Sequence, residues 1–335
     1  IHEFLITDLV LDQIIQSCKD YMIRPENSFL NETFNSKLDS IDGLTEEKEE
    51  YKARHLAVMK EHFIPAYQML AGELEKLKGR GQNPMGLADT RMETNYEYLA
   101  ASSTGTGYTV PELKQQVQVH MSEDLAQVTL LLQNHPELAE ASASYSFAQT
   151  EPAAILDALK PGRKGFPALP EADYTVHQVP KRRSLLKPAF YLTAPIDCWQ
   201  HNVIYINGGS EQAPLRGAVH HSGPRSYPGH LYQTVYANQN VRDPLLRLLP
   251  AAHTEGWGTY AEIYSYQLTT GFLGAFQAVS PQSGRHSGTL ALLDININYE
   301  GWSQERTAKF LEELYGITDT QVIEEIYYAV ADNPA

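Results

Sequence analysis

The stretch Ser226-Tyr-Pro-Gly-His230 is followed after a short interval by His253-Thr-Glu-Gly-Trp257. The Pro-Gly pair before His230 breaks regular backbone, because Pro lacks an N–H donor and Gly tolerates unusual dihedral angles. The second stretch opens an apolar, aromatic helical run, which predicts that Glu255 lies on a buried helix. A hydrolytic zinc ion takes three protein ligands, commonly two His and one Glu. The two stretches therefore predict two thirds of a zinc site, delivered from successive helices.

Longer strings of the sequence carry a family resemblance. They are Tyr227–Tyr236, Thr254–Trp257, Pro188–Thr193, Asn202–Asn207 and Leu293–Trp302. In this order, from about Thr45 to the C-terminus, the chain resembles the bacterial family called domain of unknown function 885. That resemblance implies a relative of the gluzincin-type zinc metallopeptidases. The fold it implies is largely helical and forms a cleft. With the β-branched and aromatic runs after residue 170, we expect a mainly α fold, a large helical metallopeptidase-like scaffold with a small antiparallel β-sheet beside the active-site cleft.

The first motif of that family reads His-Glu-x-Tyr-Pro-Gly-His, with both His as metal ligands and the Glu as general base. This chain has Pro224 and Arg225 at the first two positions. A guanidinium can neither ligate a metal nor accept a proton at ordinary pH. The resemblance thus leaves His230 and Glu255 as zinc ligands, and it places no general base in the sequence as it stands.

The segment that departs from the family is Ala218–Arg225, whose flanks both match it. Codons compatible with these residues, read one base later, give Leu-Phe-Thr-Thr-Leu-Ala-His-Glu, the family's sequence before Tyr-Pro-Gly-His. Gly288-Thr-Leu290, read in the same way, gives Ala-Leu and the start of a Tyr codon. Two hypotheses follow: a compensated frameshift in the gene or its sequencing, or a degenerate site. Adjacent His220 and His221 are poor substitutes for the missing ligand, because neighbouring helical residues point apart.

Three further residues are predicted to contact substrate. Tyr205 lies in a β-branched, aromatic run, Asn202–Asn207, which is predicted to be either the edge strand that pairs with an extended peptide or an ordinary sheet strand. Tyr227 belongs to the Tyr-Pro-Gly-His motif. Asn298 stands where many family members carry His, and its alternative interpretation is a helix-surface amide.

Composition limits the classes of partner. The 335 residues are 42% hydrophobic and 20% charged, which is typical of a globular chain with one large or two ordinary domains. A net charge of -15 disfavours nucleic acids and anionic membranes. Cys18 and Cys198 are too few for a disulfide framework, and no apolar run is long enough to span a membrane. Either a cytoplasmic location or export with removal of a leader fits these features, and no oligomeric state is indicated.

Periodicity predicts helices first and strands later. Apolar residues at spacings of three and four, from Leu56 through Leu70 to Leu77, predict a core-facing helix that is kinked at Pro65 and ends near Gly79. Thr45 is a predicted N-cap, and Pro111 is predicted to start another helix. The Pro/Gly-rich stretch 161–170 is predicted to separate residues 1–160 from a site-bearing part, 171–335, unless both form one continuous domain. Strands are expected directly after it.

These features favour a zinc-dependent peptidase that hydrolyses peptides with metal-activated water. The alternative is a catalytically inactive member that binds peptides or acts as a regulatory scaffold. The sequence as it stands predicts an impaired enzyme.

Overall fold

The computed structural model describes residues 7–44, 47–80, 86–90, 93–144, 166–167, 173–178, 189–194, 201–206, 229–243, 251–270 and 284–334. These residues form two compact units: unit 1 is Ile1–Tyr96 with Leu293–Ala335, and unit 2 is Glu97–Leu292. The unit limits differ from the predicted ranges 1–160 and 171–335. Because most of the stretch 161–170 lies outside the described residues, a boundary there stays a prediction.

The described residues are mainly helical with one small sheet, as expected. The helices, in chain order, are α1 Asp8–Tyr21, α2 Phe29–Asp39, α3 Lys48–Val58, α4 Ile64–Glu75, α5 Glu93–Thr104, α6 Val110–Asn134, α7 Glu137–Ser144, α8 His230–Asn240, α9 Ala251–Thr270, α10 Gly284–Asn298, α11 Gln304–Tyr315 and α12 Thr320–Ala331. The strands are β1 Asp173–Gln178, β2 Ala189–Leu192 and β3 His201–Ile206. Short 3-10 helices cover Pro25–Asn27 and Gly86–Thr90.

A π-helical turn, Met59–Phe63, joins α3 to α4 directly before Pro65. Pro removes one N–H from the hydrogen-bond ladder and crowds the preceding turn, so the ladder adjusts there. The α-helix is thus interrupted just before Pro65, and the kink itself stays a prediction. The chain leaves α4 after Glu75, and Gly79 has a φ of 72°, which confirms the predicted helix end within a few residues. Thr45 lies outside the described residues.

One face of α4 packs against α1. Leu11, Ile15 and Cys18 of α1 form a buried cluster with Ala71, and Tyr67 is among the partly buried residues packed against it. The predicted stripe is therefore a core face in this region. Leu70 is an exception, because it is 45% exposed.

The start of α6 confirms the helix predicted at Pro111. Thr109 is the N-cap residue, and its backbone N–H donates to the Glu112 carboxylate at 2.8 Å. The Glu112 carboxylate thereby pairs a backbone donor at the helix start that has no partner within the helix.

The sheet is mixed, so the predicted antiparallel sheet is wrong in part. β3 lies in the centre, pairs with β1 in parallel, and pairs with β2 antiparallel. The proposed edge strand, Asn202–Asn207, is also wrong, because its described part is hydrogen-bonded on both sides. A strand pattern reveals alternation of side chains but not the partner, which is set by the crossover connection between β1 and β3.

One face of the sheet supports α8. Ile204 and Ile206 of β3 are buried against Leu231, Tyr232 and Val235 of that helix. Residues of β3 alternate between buried and partly exposed, as expected for a strand with one covered face. The sheet therefore holds in place the helix that begins with His230.

Candidate metal site

His230 is the first residue of α8, and Gly229 is its N-cap. The prediction that a helix carries His230 is confirmed, and the break expected at Pro228 lies outside the described residues. A polar contact adds to the apolar packing of the sheet on α8: Tyr191 of β2 donates a hydrogen bond to the Asn202 side chain at 2.7 Å and also bonds Thr234 of α8. Burial raises the pKa of Tyr191, so the hydroxyl remains a neutral donor.

His230 and Glu255 face each other. The His230 Nε2 and Glu255 Oε2 atoms are 4.0 Å apart. Zinc lies about 2.0–2.2 Å from ligand nitrogen and oxygen atoms, so one ion between these two atoms requires only a small change in side-chain torsion. The side chain of His230 is 15% exposed, and the side chain of Glu255 is 78% exposed. The prediction that Glu255 is buried is therefore wrong, because an apolar run along a helix does not reveal which side of it is covered, and this side chain faces solvent.

The imidazole of His230 occupies a notch in α9. An ideal Cβ atom at Gly258 would lie 2.7 Å from Cε1 and 2.9 Å from Nε2 of the ring. Such distances are below van der Waals contact, so the missing side chain is what lets the ring approach the helix. Gly258 was not singled out in the sequence. A glycine inside an otherwise apolar helical run is the signal that could have found it.

Two hydrogen bonds connect α8 and α9 beside this pair. The indole N–H of Trp257 donates to the Gly229 carbonyl at 3.2 Å, and the Gln233 side-chain amide donates to the His253 carbonyl at 3.2 Å. We call these two bonds the reciprocal clamp. Each one runs from a side chain of one helix to the backbone of the other.

An aromatic cluster surrounds the Trp257 side of the clamp. Phe166 contacts the rings of Tyr232, Trp257 and Tyr264 with centroid distances of 5.6, 5.9 and 5.0 Å. The Tyr232 hydroxyl donates to the Pro167 carbonyl at 2.7 Å. Edge-to-face contacts of this kind stabilise a packed cluster beyond the area that it buries.

The two donors fit part of a zinc site. An imidazole nitrogen and a carboxylate oxygen are both common zinc ligands, and the Nε2 atom that packs beside Gly258 is also the one 4.0 Å from the Glu255 carboxylate. Within the ranges that the structure describes, no group of three or more His, Cys, Asp and Glu residues could hold a metal ion. Pro224, Arg225 and Tyr227 lie outside the described residues, as do His220 and His221.

Tyr205 lies on the sheet face opposite to the one that covers α8. Its ring stacks on His177 of β1 with centroids 5.7 Å apart, and the two residues are register partners. The structure does not bring Tyr205 to His230. Its contact with substrate stays a prediction.

Asn298 belongs to unit 1 and is fully buried. Its Oδ1 accepts from the Leu87 N–H at 3.1 Å, and its Nδ2 donates to the Asp294 carboxylate at 2.8 Å and to the Val330 carbonyl at 3.0 Å. Tyr96 donates to the other Asp294 oxygen at 2.6 Å, and burial together with that carboxylate raises the pKa of Tyr96. We call this set the Asn298 network. It accounts for Asn298 as a structural residue, and substrate contact stays a prediction.

Comparison with known proteins agrees with the resemblance at the level of family and fold. The family described as "Bacterial protein of unknown function (DUF885)" matches residues 3–334. A crystal structure described as that of a putative lipoprotein from Colwellia psychrerythraea is similar, with a TM-score of 0.78, 17% identity, and coverage of 98% of this chain and 61% of that one. A structure described as that of a putative lipoprotein of unknown function from Shewanella oneidensis has a TM-score of 0.57 and 14% identity, and the match covers 90% of this chain and 59% of that one.

These structural likenesses carry the fold alone, because the identities are low. This chain spans about three fifths of the length of each of those two proteins. Curated proteins yield no match. None of the described helices combines the length and the apolar character needed to cross a membrane.

Proposed function

We propose that this chain, which belongs to the bacterial DUF885 family of unknown function, is a zinc-dependent peptidase scaffold. His230 and Glu255 would hold the ion. One observation carries the proposal: the Nε2 atom of His230, seated in the Gly258 notch, lies 4.0 Å from a carboxylate oxygen of Glu255. The substrate cleft and the peptide substrate come from the family resemblance and are part of the proposal.

The chemistry divides between the ion and the chain. When bound, zinc polarises a carbonyl group and makes water more acidic. Neutral His230 offers its Nε2 lone pair, and Glu255 supplies a negative charge that an exposed cation site needs. A carboxylate at position 225 would accept a proton from water, whereas Arg225 cannot. Efficient hydrolysis therefore requires His and Glu at positions 224 and 225.

The second candidate is a peptide-binding protein without catalysis. Pro224 and Arg225 favour it, because the sequence as it stands lacks one ligand and the base. This candidate retains the scaffold and predicts weak zinc binding, since two ligands beside an arginine charge do not match a three-ligand site.

The location proposed is outside the cytoplasm. Both similar structures are described as putative lipoproteins, which supports export over the cytoplasmic alternative.

The deciding experiment replaces residues 218–225 by Leu-Phe-Thr-Thr-Leu-Ala-His-Glu, which we call the restored chain. We expect it to gain one zinc per chain and slow hydrolysis of short peptides together, because the replacement supplies both a ligand and a base. The matched control carries Arg225→Gln in place of Arg225→Glu, and it should keep zinc and lose hydrolysis. Tight zinc binding with no cleavage across a broad peptide library would favour the peptide-binding candidate. No zinc uptake by the restored chain would overturn the metal site.

A further inference from the structure

We infer that Gln233 and Trp257 are positioning residues that set the distance between His230 and Glu255. The inference rests on the proposed metal site for its functional meaning, but its structural content can be tested without metal. Neither residue is a zinc ligand in that site.

The clamp bonds attach beside the two ligand residues. Trp257 lies two residues after Glu255 and bonds the carbonyl of Gly229, the residue directly before His230. Gln233 lies three residues after His230 and bonds the carbonyl of His253, two residues before Glu255. Trp257 of α9 is thus bonded beside His230, and Gln233 of α8 is bonded in the helical turn that contains Glu255.

The Gly229 carbonyl is shared between α8 and the clamp. It accepts the backbone N–H of Gln233 at 3.0 Å, which is the first bond of α8, and it accepts the Trp257 indole at 3.2 Å. A carbonyl has two lone pairs, so both bonds can form together. The start of α8 is consequently tied to α9 without loss of its own helical bond.

The distance between the helices matters because the His230 ring is in close contact with α9. The Gly258 notch admits the imidazole but leaves no room for a side chain at that position. If the two helices were about 1 Å further apart, Nε2 would move away from the Glu255 carboxylate. The two residues would then bind the same ion less well, since metal–ligand distances vary by only about 0.2 Å.

Two substitutions test the clamp. Trp257→Phe keeps an aromatic ring in the cluster but removes the indole donor, and Gln233→Leu removes the other donor at a partly exposed position. The control is Tyr260→Phe, which removes only a hydroxyl from an α9 residue that is 52% exposed and makes neither clamp bond. Far-ultraviolet circular dichroism confirms that each variant keeps its helices.

The first measurement is the nuclear Overhauser effect between His230 Hε1 and the Gly258 Hα protons, recorded without metal. We expect a strong cross-peak in the starting chain and in Tyr260→Phe, and a weakened or absent one in both clamp variants. An unchanged cross-peak in both folded clamp variants would overturn the inference.

The second measurement is zinc affinity in the restored chain carrying the same substitutions. We expect a loss of about tenfold, at the low end for groups that orient metal ligands. If the cross-peak weakens but no version of the restored chain binds zinc, the positioning inference stands and the proposed function fails. If the cross-peak weakens and zinc affinity is unchanged, the clamp has no role in positioning ligands and the inference is wrong.

Discussion

The Asn298 network of unit 1 and the His230–Glu255 pair of unit 2 both join separate chain segments through polar side chains, but they differ in exposure. The Asn298 amide is fully buried, and three hydrogen bonds occupy it. The Glu255 side chain is 78% exposed and lies 4.0 Å from its partner. A buried network with satisfied partners contributes to stability, whereas an open pair can still accept a ligand.

The largest expected effect comes from breaking the Asn298 network. Asn298→Leu leaves the Leu87 N–H and the Val330 carbonyl without this partner inside the protein. We expect the free energy of unfolding in urea to fall by about 2–4 kcal/mol, because the substitution removes three buried hydrogen bonds that contribute about 1 kcal/mol each. The control is Asn240→Leu, which loses an exposed bond to the Tyr236 carbonyl and should change stability by about 0.5 kcal/mol or less. Equal effects of the two substitutions would contradict a structural role for Asn298.

Two glycines test how closely the chain packs against Asn298. Gly86 and Gly79 have φ angles of 56° and 72°, but an ideal Cβ at Gly86 would fall 1.9 Å from Asn298 Oδ1, whereas Gly79 has open space. Both Ala substitutions incur the cost of a left-handed backbone. Gly86→Ala should therefore destabilise by about 1–3 kcal/mol more than Gly79→Ala, the typical cost of overpacking. Similar unfolding midpoints for the two variants would show that the close approach to Asn298 is unimportant.

Thr289 is a second buried polar residue of α10, and its replacement tests whether it stabilises the fold as Asn298 does. Thr289 is 4% exposed and Leu290 is 38% exposed, the reverse of what their polarity favours. The shifted reading of Gly288-Thr-Leu290 places Leu at the buried position. Thr289→Leu is expected to raise the free energy of unfolding by about 1 kcal/mol through added apolar burial. A loss of stability would argue against the frameshift in this segment.

The smallest effect concerns pH and unit 1. Burial lowers the pKa of His55 below its ordinary value of 6.5, and the ring stacks on Phe34 at 4.1 Å. The folded state thus favours the neutral ring, so this contribution to stability is present above pH 6.5 and is lost as pH falls below it. His55→Phe keeps the stack and removes the titration. The stability lost between about pH 7.5 and about pH 5 should be smaller in this variant, and an equal loss would contradict the assignment.

The sequence predicted elements better than it predicted environments. The helix at Pro111, the helix end near Gly79 and a helix that carries His230 depend on local backbone chemistry, and all three are confirmed. The central place of β3 and its parallel partner depend on the path of the chain between strands, which periodicity does not encode. The exposure of Glu255 depends on which face of α9 is covered by α8 and the aromatic cluster.

Two contacts had no strong signal in the sequence. The Gly258 notch depends on how closely α8 approaches α9, and the clamp bond of Gln233 ends on a backbone carbonyl, which carries no residue identity. The Asp294–Asn298 bond did have a signal, because residues four apart on a helix are neighbours. It was missed because a family position suggested another role for Asn298.

The central claim is that His230 and Glu255 hold the same metal ion. The most direct test is the zinc content of the restored chain after gel filtration and mild chelation, beside restored chains that carry His230→Ala or Glu255→Gln. We expect one zinc per restored chain and loss of that zinc in either variant, because two ligands do not make a three-ligand site. The chain with Pro224 and Arg225 should also contain no zinc after gel filtration and mild chelation. Retention of stoichiometric zinc by both ligand variants would contradict the account.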